Sequence, residues 1–307
     1  MAGKKAMGRA RKRRAKAPEG SGRRYKVGRI AVRTRWFDDQ LEECLGMPRT
    51  FSSLNEPGHI VTTLVPEVDG KMHLPTQVVE LGAGLSTRPW RLHLPAVLKW
   101  FDVDRQDVID VRENELIKHG AEVDMMSPIR RSQSKNSILE SKIGSLDHHS
   151  VNVEFPLRCE SRSSVAADIG HPNWIKALIA AGFDASKPTV WIMEGLLMYL
   201  EPARVDALLK ELASISARGS CFLTGVVTEN CIATLSDKSR KNPLMKEWKS
   251  GVPQNPTPWL KTLGWNSRLV ITRAEIAEAL GLSPEVCAFD VKEENAARGF
   301  FIVATVA

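Results

Sequence analysis

From residue 30 onward, short apolar runs alternate with stretches whose apolar positions recur at helical spacing. Gln77–Leu81 (QVVEL), 97–101 (VLKWF), 164–167 (SVAA), Thr189–Met193 (TVWIM), Cys221–Val227 (CFLTGVV) and 300–306 (FFIVATV) read as buried strands. Between them, Val205, Leu208, Leu209 and Leu212 fall at i, i+3, i+4 and i+7 in a helix expected over 202–217. Pro202 suits its first turn and Gly219 its stop. A second helix is expected over 172–181, where Trp174, Ile175, Leu178 and Ile179 share a face. Strands alternating with helices require right-handed crossovers, which predicts an α/β, doubly wound, mostly parallel sheet. One domain is expected over 30–307.

Two stretches break this rhythm. Residues 120–161 are polar and serine-rich and hold the pair His148 and His149; residues 228–264 hold four prolines and several lysines. Long connections inside an α/β domain are commonly lids or binding loops. The second is expected to cover the substrate and the first to be a mobile insertion. Adjacent histidines point to opposite sides of an extended strand and have no Cys or carboxylate partners nearby, so no metal site is expected.

Charge changes the picture at one end. Residues 1–30 hold twelve Lys or Arg against the single acid Glu19, so the net +7 of the chain divides into +11 there and −4 over the remainder. Segment 1–29 has too little apolar content to order itself and is expected to be a basic, disordered tail. Its RARKRRAK run could contact nucleic acid or anionic lipid, or act as a nuclear or organellar address. No run of ~18 apolar residues occurs, so no membrane span is expected. The five cysteines are scattered without a Cys-x-x-Cys pair, which fits a reducing, cytoplasmic setting and argues against disulfides and zinc.

The densest chemistry lies at strand ends. Glu80-Leu81-Gly82-Ala83-Gly84 follows the first apolar strand directly, and glycines there let the backbone turn sharply and approach a ligand closely. A dinucleotide loop wants a third glycine where the pyrophosphate meets the helix. That position is Thr87. A cofactor without phosphates has no such need. About twenty residues on, the next strand ends in Asp102-Val103-Asp104, and either acid could accept ribose hydroxyls while the other caps a helix. Asp168 and Glu194 end the third and fourth strands. Acids at successive carboxyl ends of parallel strands converge on one crevice, where open α/β sheets bind ligands.

The stretches QVVELGAGLSTRPWRL, WFDVD, AADIGHPNW and, above all, GFDASKPTVWIMEGLLMYLEPARVDALL resemble the leucine carboxyl methyltransferase family, in its broad branch of S-adenosylmethionine-dependent methyltransferases. VRTRWFDD at 32–39 and WNSRLVITRAEIAEALG near the end add to the likeness. The resemblance implies a class I, Rossmann-like, seven-stranded fold and S-adenosyl-L-methionine as cofactor. It implies that Arg33 pairs with the methionyl carboxylate, that Gly82 with neighbouring Ala83 and Gly84 lines the methionine, and that Glu194 reaches the ammonium. Asp104 matches the family's cofactor aspartate, and Asp102 stands where the family usually has Glu. Asp168 and Ile169 would frame the adenine, and Tyr199 would face the substrate pocket. Three departures stand out: Ser86 replaces the usual Asp, residues 168–170 read Asp-Ile-Gly, and the proline expected two places after Asp104 is absent.

The implied reaction is O-methylation of a carboxylate on a small molecule or a protein C-terminus. A carboxylate is already ionised near neutral pH and needs no strong base, which agrees with a sequence lacking a Ser-His-Asp constellation. The rival readings are a nicotinamide-dependent oxidoreductase, an RNA-directed methyltransferase using the basic tail, and a non-catalytic cofactor-binding protein.

Overall fold

A computed structural model describes residues 28–48, 67–68, 71–72, 74–123, 153–235, 243–282 and 299–307. The basic tail up to residue 27, His148 and His149 with most of the 120–161 insertion, and residues 236–242 lie outside the described residues.

Seven strands form one sheet: β1 (Gln77–Leu81), β2 (Lys99–Asp104), β3 (Ser161–Ala166), β4 (Thr189–Met193), β5 (Cys221–Val227), β6 (Trp265–Thr272) and β7 (Gly299–Val306), in spatial order 3-2-1-4-5-7-6. The first five run parallel, whereas β7 pairs antiparallel with both β5 and β6. The order reverses between β1 and β4, so their carboxyl ends flank the crevice of a doubly wound sheet. The seven-stranded, mostly parallel α/β fold is therefore present.

Continuous apolar runs mark strands covered on both faces, and β1 and β4 are buried throughout. On one face, Trp191, Phe222 and Trp265 pack with Val205, Leu208, Leu209 and Leu212 of the helix Pro202–Ser214. On the other, Val78, Trp100 and Leu223 pack with Val32, Trp36, Phe37 and Leu41 of the helix Arg29–Cys44. In chain order the helices are α1 (Arg29–Cys44), α2 (Arg88–Arg91), α3 (Gln106–Lys118), α4 (Trp174–Ala180), α5 (Pro202–Ser214), α6 (Glu229–Ala233), α7 (Pro243–Lys246), α8 (Pro256–Thr262) and α9 (Arg273–Ala279). Pro202 occupies the first turn of α5, where its missing N–H is no loss. In α4, Trp174 and Leu178 are buried but Ile179 is exposed, so the expected apolar face is narrower than its spacing suggests.

Boundaries differ where polar residues carry the strand. β2 runs to Asp104 and β3 begins at Ser161, earlier than the apolar core SVAA, because buried Arg162 is neutralised across the sheet by Asp102. Helix α1 and edge strand β6 had no place in the pattern of apolar runs. The former carries charged residues through its buried face, including Asp38 and Glu42, and β6, at the sheet edge, is only partly covered.

Candidate functional site

The bend after β1 sets the crevice floor. Gly82 and Gly84 adopt φ of +67° and +53°, conformations that L side chains rarely hold. A Cβ at Gly82 would lie 3.1 Å from Leu196 Cδ1, so Leu196 packs on the glycine and leaves no room for a side chain there, whereas at Gly84 only the Gly82 carbonyl oxygen, at 3.9 Å, comes within 4 Å. The Gly82 N–H donates to the Val103 carbonyl (2.8 Å), and the Gly84 N–H donates to Asp104 Oδ2 (2.8 Å). Asp104 Oδ1 accepts from the Arg105 N–H (2.8 Å) at the start of α3. Each carboxylate oxygen thus takes one backbone donor and keeps capacity for a hydroxyl. Such a side-chain-free bend beside a held carboxylate fits a nucleoside cofactor. Ala83 is buried behind the bend, its carbonyl accepting from the Ser86 N–H.

Asp102 lies elsewhere. Only 1% exposed, it accepts from Trp100 Nε1 (2.8 Å) and Arg162 Nε (2.5 Å) and pairs with Arg112 at 3.0 Å. Burial alone would raise its carboxyl, but Arg112 and Arg162 outweigh that and hold it below the ordinary range. It ties β2 to β3 and α3 and does not open to the crevice, so it is no candidate for the ribose. Asp168, past the end of β3, is exposed, and its Oδ1 accepts from the Gly170 N–H (2.8 Å). Ile169 beside it is buried, its carbonyl bonded to Arg204 Nε (2.9 Å).

A charged network closes the other side. Arg33 of α1 donates from Nε to Glu194 Oε1 at 2.6 Å, past the end of β4. Arg88, 2% exposed in α2, donates to Glu194 Oε2, to Glu80 Oε1 (2.5 Å) and to Asp38 Oδ1 (2.9 Å). Arg91 forms a fork on Asp38, with bonds of 2.5 and 2.9 Å. Arg33 therefore meets the acid of β4 and not Asp38 or Asp39, the nearby acids in its own helix; Asp39 is taken by Arg35. Burial works against the charge of Arg88, but its three carboxylates win and raise its pKa further. Burial also lifts Glu80 to about 7 despite Arg88, whereas Glu194, only partly buried, is held low by Arg88 and Arg33 against its desolvation. Glu80 is buried under the loop, so Arg88 and not the crevice is its partner. The spacing pattern did not reveal Arg88 as the hub; an arginine inside the motif Thr87-Arg88-Pro89-Trp90, amid residues that pack as core, is the signal that could have.

Beside this network opens a cleft of about 220 Å3. Arg33, Gly195, Tyr199, Gly225, Trp248 and Phe300 are among its lining, so part of the 228–264 stretch does border it. Among the described residues its walls include Arg33 and Arg273 but no Asp, Glu, His or Lys. No group of three or more metal-ligating side chains occurs among the described residues, and none of their helices is long and apolar enough to cross a membrane.

Comparison with known proteins agrees with the family likeness. The leucine carboxyl methyltransferase model matches residues 71–213. A Frankia alni protein provisionally named an S-adenosyl-L-methionine-dependent methyltransferase is 29% identical over 201 residues, covering 66% of this chain and 58% of its own. A similarly named protein of Mycolicibacterium gilvum is 27% identical over 270 residues, covering 85% and 70% respectively. Against the Frankia relative and a Streptomyces avermitilis one, the chain spans somewhat over half of their lengths, 58% and 55%. The solved structure of a DUF574-family protein from Streptomyces avermitilis overlaps 76% of each chain at 12% identity and a TM-score of 0.44. With the motifs from Gln77 to Leu209 falling inside the matched segment, the chain is similar to the leucine carboxyl methyltransferase family over that stretch.

Proposed function

We propose that the chain is an S-adenosylmethionine-dependent methyltransferase that methylates a carboxylate oxygen. The observation that carries this reading is the meeting of the Gly82–Gly84 bend with Asp104 on one side and the Arg33–Glu194 pair on the other. When bound, S-adenosylmethionine would supply an electrophilic methyl group on sulfur. Asp104 would accept the ribose hydroxyls, Asp168 the adenine amine, and Ile169 would pack against the base. Arg33 would hold the methionyl carboxylate and Glu194 the ammonium, exchanging part of their mutual bond for the ligand's two charges. Arg88, fixed by Glu80 and Asp38, would keep Glu194 in place without touching the ligand.

The acceptor would enter the adjoining cleft past Tyr199. Its walls offer no carboxylate, imidazole or amine base among the described residues, which suits an acceptor oxygen that arrives ionised. The chain's contribution is then orientation and exclusion of water, and alignment of reacting atoms can supply roughly 7–11 kcal/mol. Whether the acceptor is a small molecule or a protein C-terminus belongs to the same test. Calorimetric titration with S-adenosylmethionine and, separately, NAD, followed by mass spectrometry of an extract incubated with the methyl donor, decides it. Saturable binding of the donor and a product heavier by one methyl group are expected; NAD binding without a response to the donor would overturn the reading in favour of an oxidoreductase.

A further inference from the structure

The loop that follows β3 is held at two points of its backbone. At its start the Ala167 N–H donates to the Asp104 carbonyl (2.9 Å), which sets the loop beside the tip of β2 and the glycine bend that Asp104 joins. Two residues later, Arg204 Nε donates to the Ile169 carbonyl (2.9 Å) from the first turn of α5. Between these anchors stands exposed Asp168, whose Oδ1 accepts from the Gly170 N–H (2.8 Å) while Oδ2 takes no bond among the described residues. The Ile169 carbonyl and the Gly170 N–H belong to one planar peptide unit. Arg204 and the Asp168 carboxylate therefore grip opposite edges of the same plane. The Ile169 side chain is buried in the core, but apolar packing is non-directional, so the hydrogen bond from Arg204 is what orients the peptide.

Arg204 is itself fixed. Its two terminal nitrogens make a fork on Glu211, seven residues further along α5, at 2.7 and 2.8 Å, and Glu211 Oε2 also accepts from Trp174 Nε1 (3.0 Å) of α4. A helix by itself favours acids at its start and cations at its end. Here the cation lies in the first turn of α5 and the acid near its last, so the pair is set against the helix dipole and has its reason outside the helix. Two parallel bonds fix the guanidinium plane, and Nε is thereby aimed at the Ile169 carbonyl.

We propose that Arg204 is a positioning residue for the cofactor's base: through the Ile169–Gly170 peptide it directs the Asp168 carboxylate at the exocyclic amine of adenine. This rests on the methyltransferase reading and on Asp168 as the partner of that amine. The contribution of Arg204 is to selectivity between bases, because a carboxylate aimed at that edge of the purine accepts from an amine and repels a carbonyl oxygen in its place.

The test measures, by calorimetry on the full chain, the affinities for S-adenosylhomocysteine and for S-inosylhomocysteine, in which a carbonyl oxygen replaces the amine. The parent is expected to bind the adenosyl ligand at least tenfold more tightly. Arg204→Gln should cut this preference fivefold or more, chiefly by weakening the adenosyl ligand. Arg204→Lys should keep an intermediate preference, since an ammonium reaches a carbonyl but cannot form the fork. A role confined to holding α4, α5 and the loop together would lower both affinities alike and leave the preference intact. Equal weakening of the two ligands, or an unaltered preference in Arg204→Gln, therefore overturns the proposal. Should that variant not fold, Glu211→Gln, which leaves Arg204 in place without its charged partner, is judged by the same criterion. A parent that binds S-adenosylhomocysteine without preferring it to the inosyl ligand removes Asp168 from the base site and overturns the proposal while sparing the methyltransferase reading. A parent that binds neither ligand overturns both.

Discussion

The Gly84 backbone N–H donates to Asp104 Oδ2 at 2.8 Å, joining the bend after β1 to the tip of β2 across twenty residues of chain. One carboxylate thus shapes the loop and faces the crevice that the loop floors. Replacing Asp104 by Asn keeps an acceptor for Gly84 and removes the charge. S-adenosylmethionine affinity is expected to drop by about 1.5–3 kcal/mol, as for loss of a charge-assisted hydrogen bond, while the unfolding midpoint moves little. Calorimetry paired with denaturation checks both, and an unaltered affinity would remove Asp104 from the site.

Asp102 is expected to behave in the opposite way. Its carboxylate compensates two buried arginines, Arg112 and Arg162, and breaking a buried pair from one side costs roughly 3–5 kcal/mol. Asp102→Asn should therefore lower the denaturant midpoint strongly and leave the cofactor dissociation constant of the folded fraction near that of the parent. A selective loss of binding at unchanged stability would place Asp102 in the crevice after all.

At Gly82 two penalties coincide. The φ of +67° costs a non-glycine residue of order 1–3 kcal/mol, and the new side chain points at Leu196 from a Cβ position only 3.1 Å away. Gly82→Ala should weaken cofactor binding and Gly82→Val should abolish it. Retained binding in the valine variant, measured by calorimetry, would show that no ligand uses this bend.

Glu80 gives a signature in pH. Burial raises its carboxyl from 4.5 to about 7, so between those values the folded protein holds a proton that the unfolded chain has released. The stability it contributes is complete below about pH 4.5 and is lost as pH rises through about 7. Glu80→Gln removes this dependence, so the stability of the parent relative to the variant should fall between pH 5 and pH 8 and flatten above. Urea unfolding of both proteins at pH 5, 6, 7 and 8 measures it; a difference that stays level or grows with pH contradicts the raised pKa.

Much of the scaffold was readable along the chain. QVVEL, TVWIM and CFLTGVV coincide with β1, β4 and β5 residue for residue because strands covered on both faces read as near-continuous apolar runs. The edge strand β6 escaped notice for the complementary reason: its residues are only partly covered, and its pattern does not stand apart from a loop. Helix α1 escaped because acids lie on its buried side, where Asp38 is compensated by Arg88 and Arg91, far away in sequence.

For the site, the sequence by itself determined that glycines follow β1 and that acids stand at or near four strand ends, since these depend on residue type and local spacing alone. It could not choose between Asp102 and Asp104, which share a strand face and differ only in the partners brought to them. Tertiary structure separates them, by setting two arginines of α3 and β3 against the first and the Gly84 N–H against the second. It also assembled Arg33, Arg88 and Glu194, and it brought Tyr199 and Arg33 to the lining of one cleft. Charges balance and cavities close between residues distant in the chain, and neither leaves a local period to read.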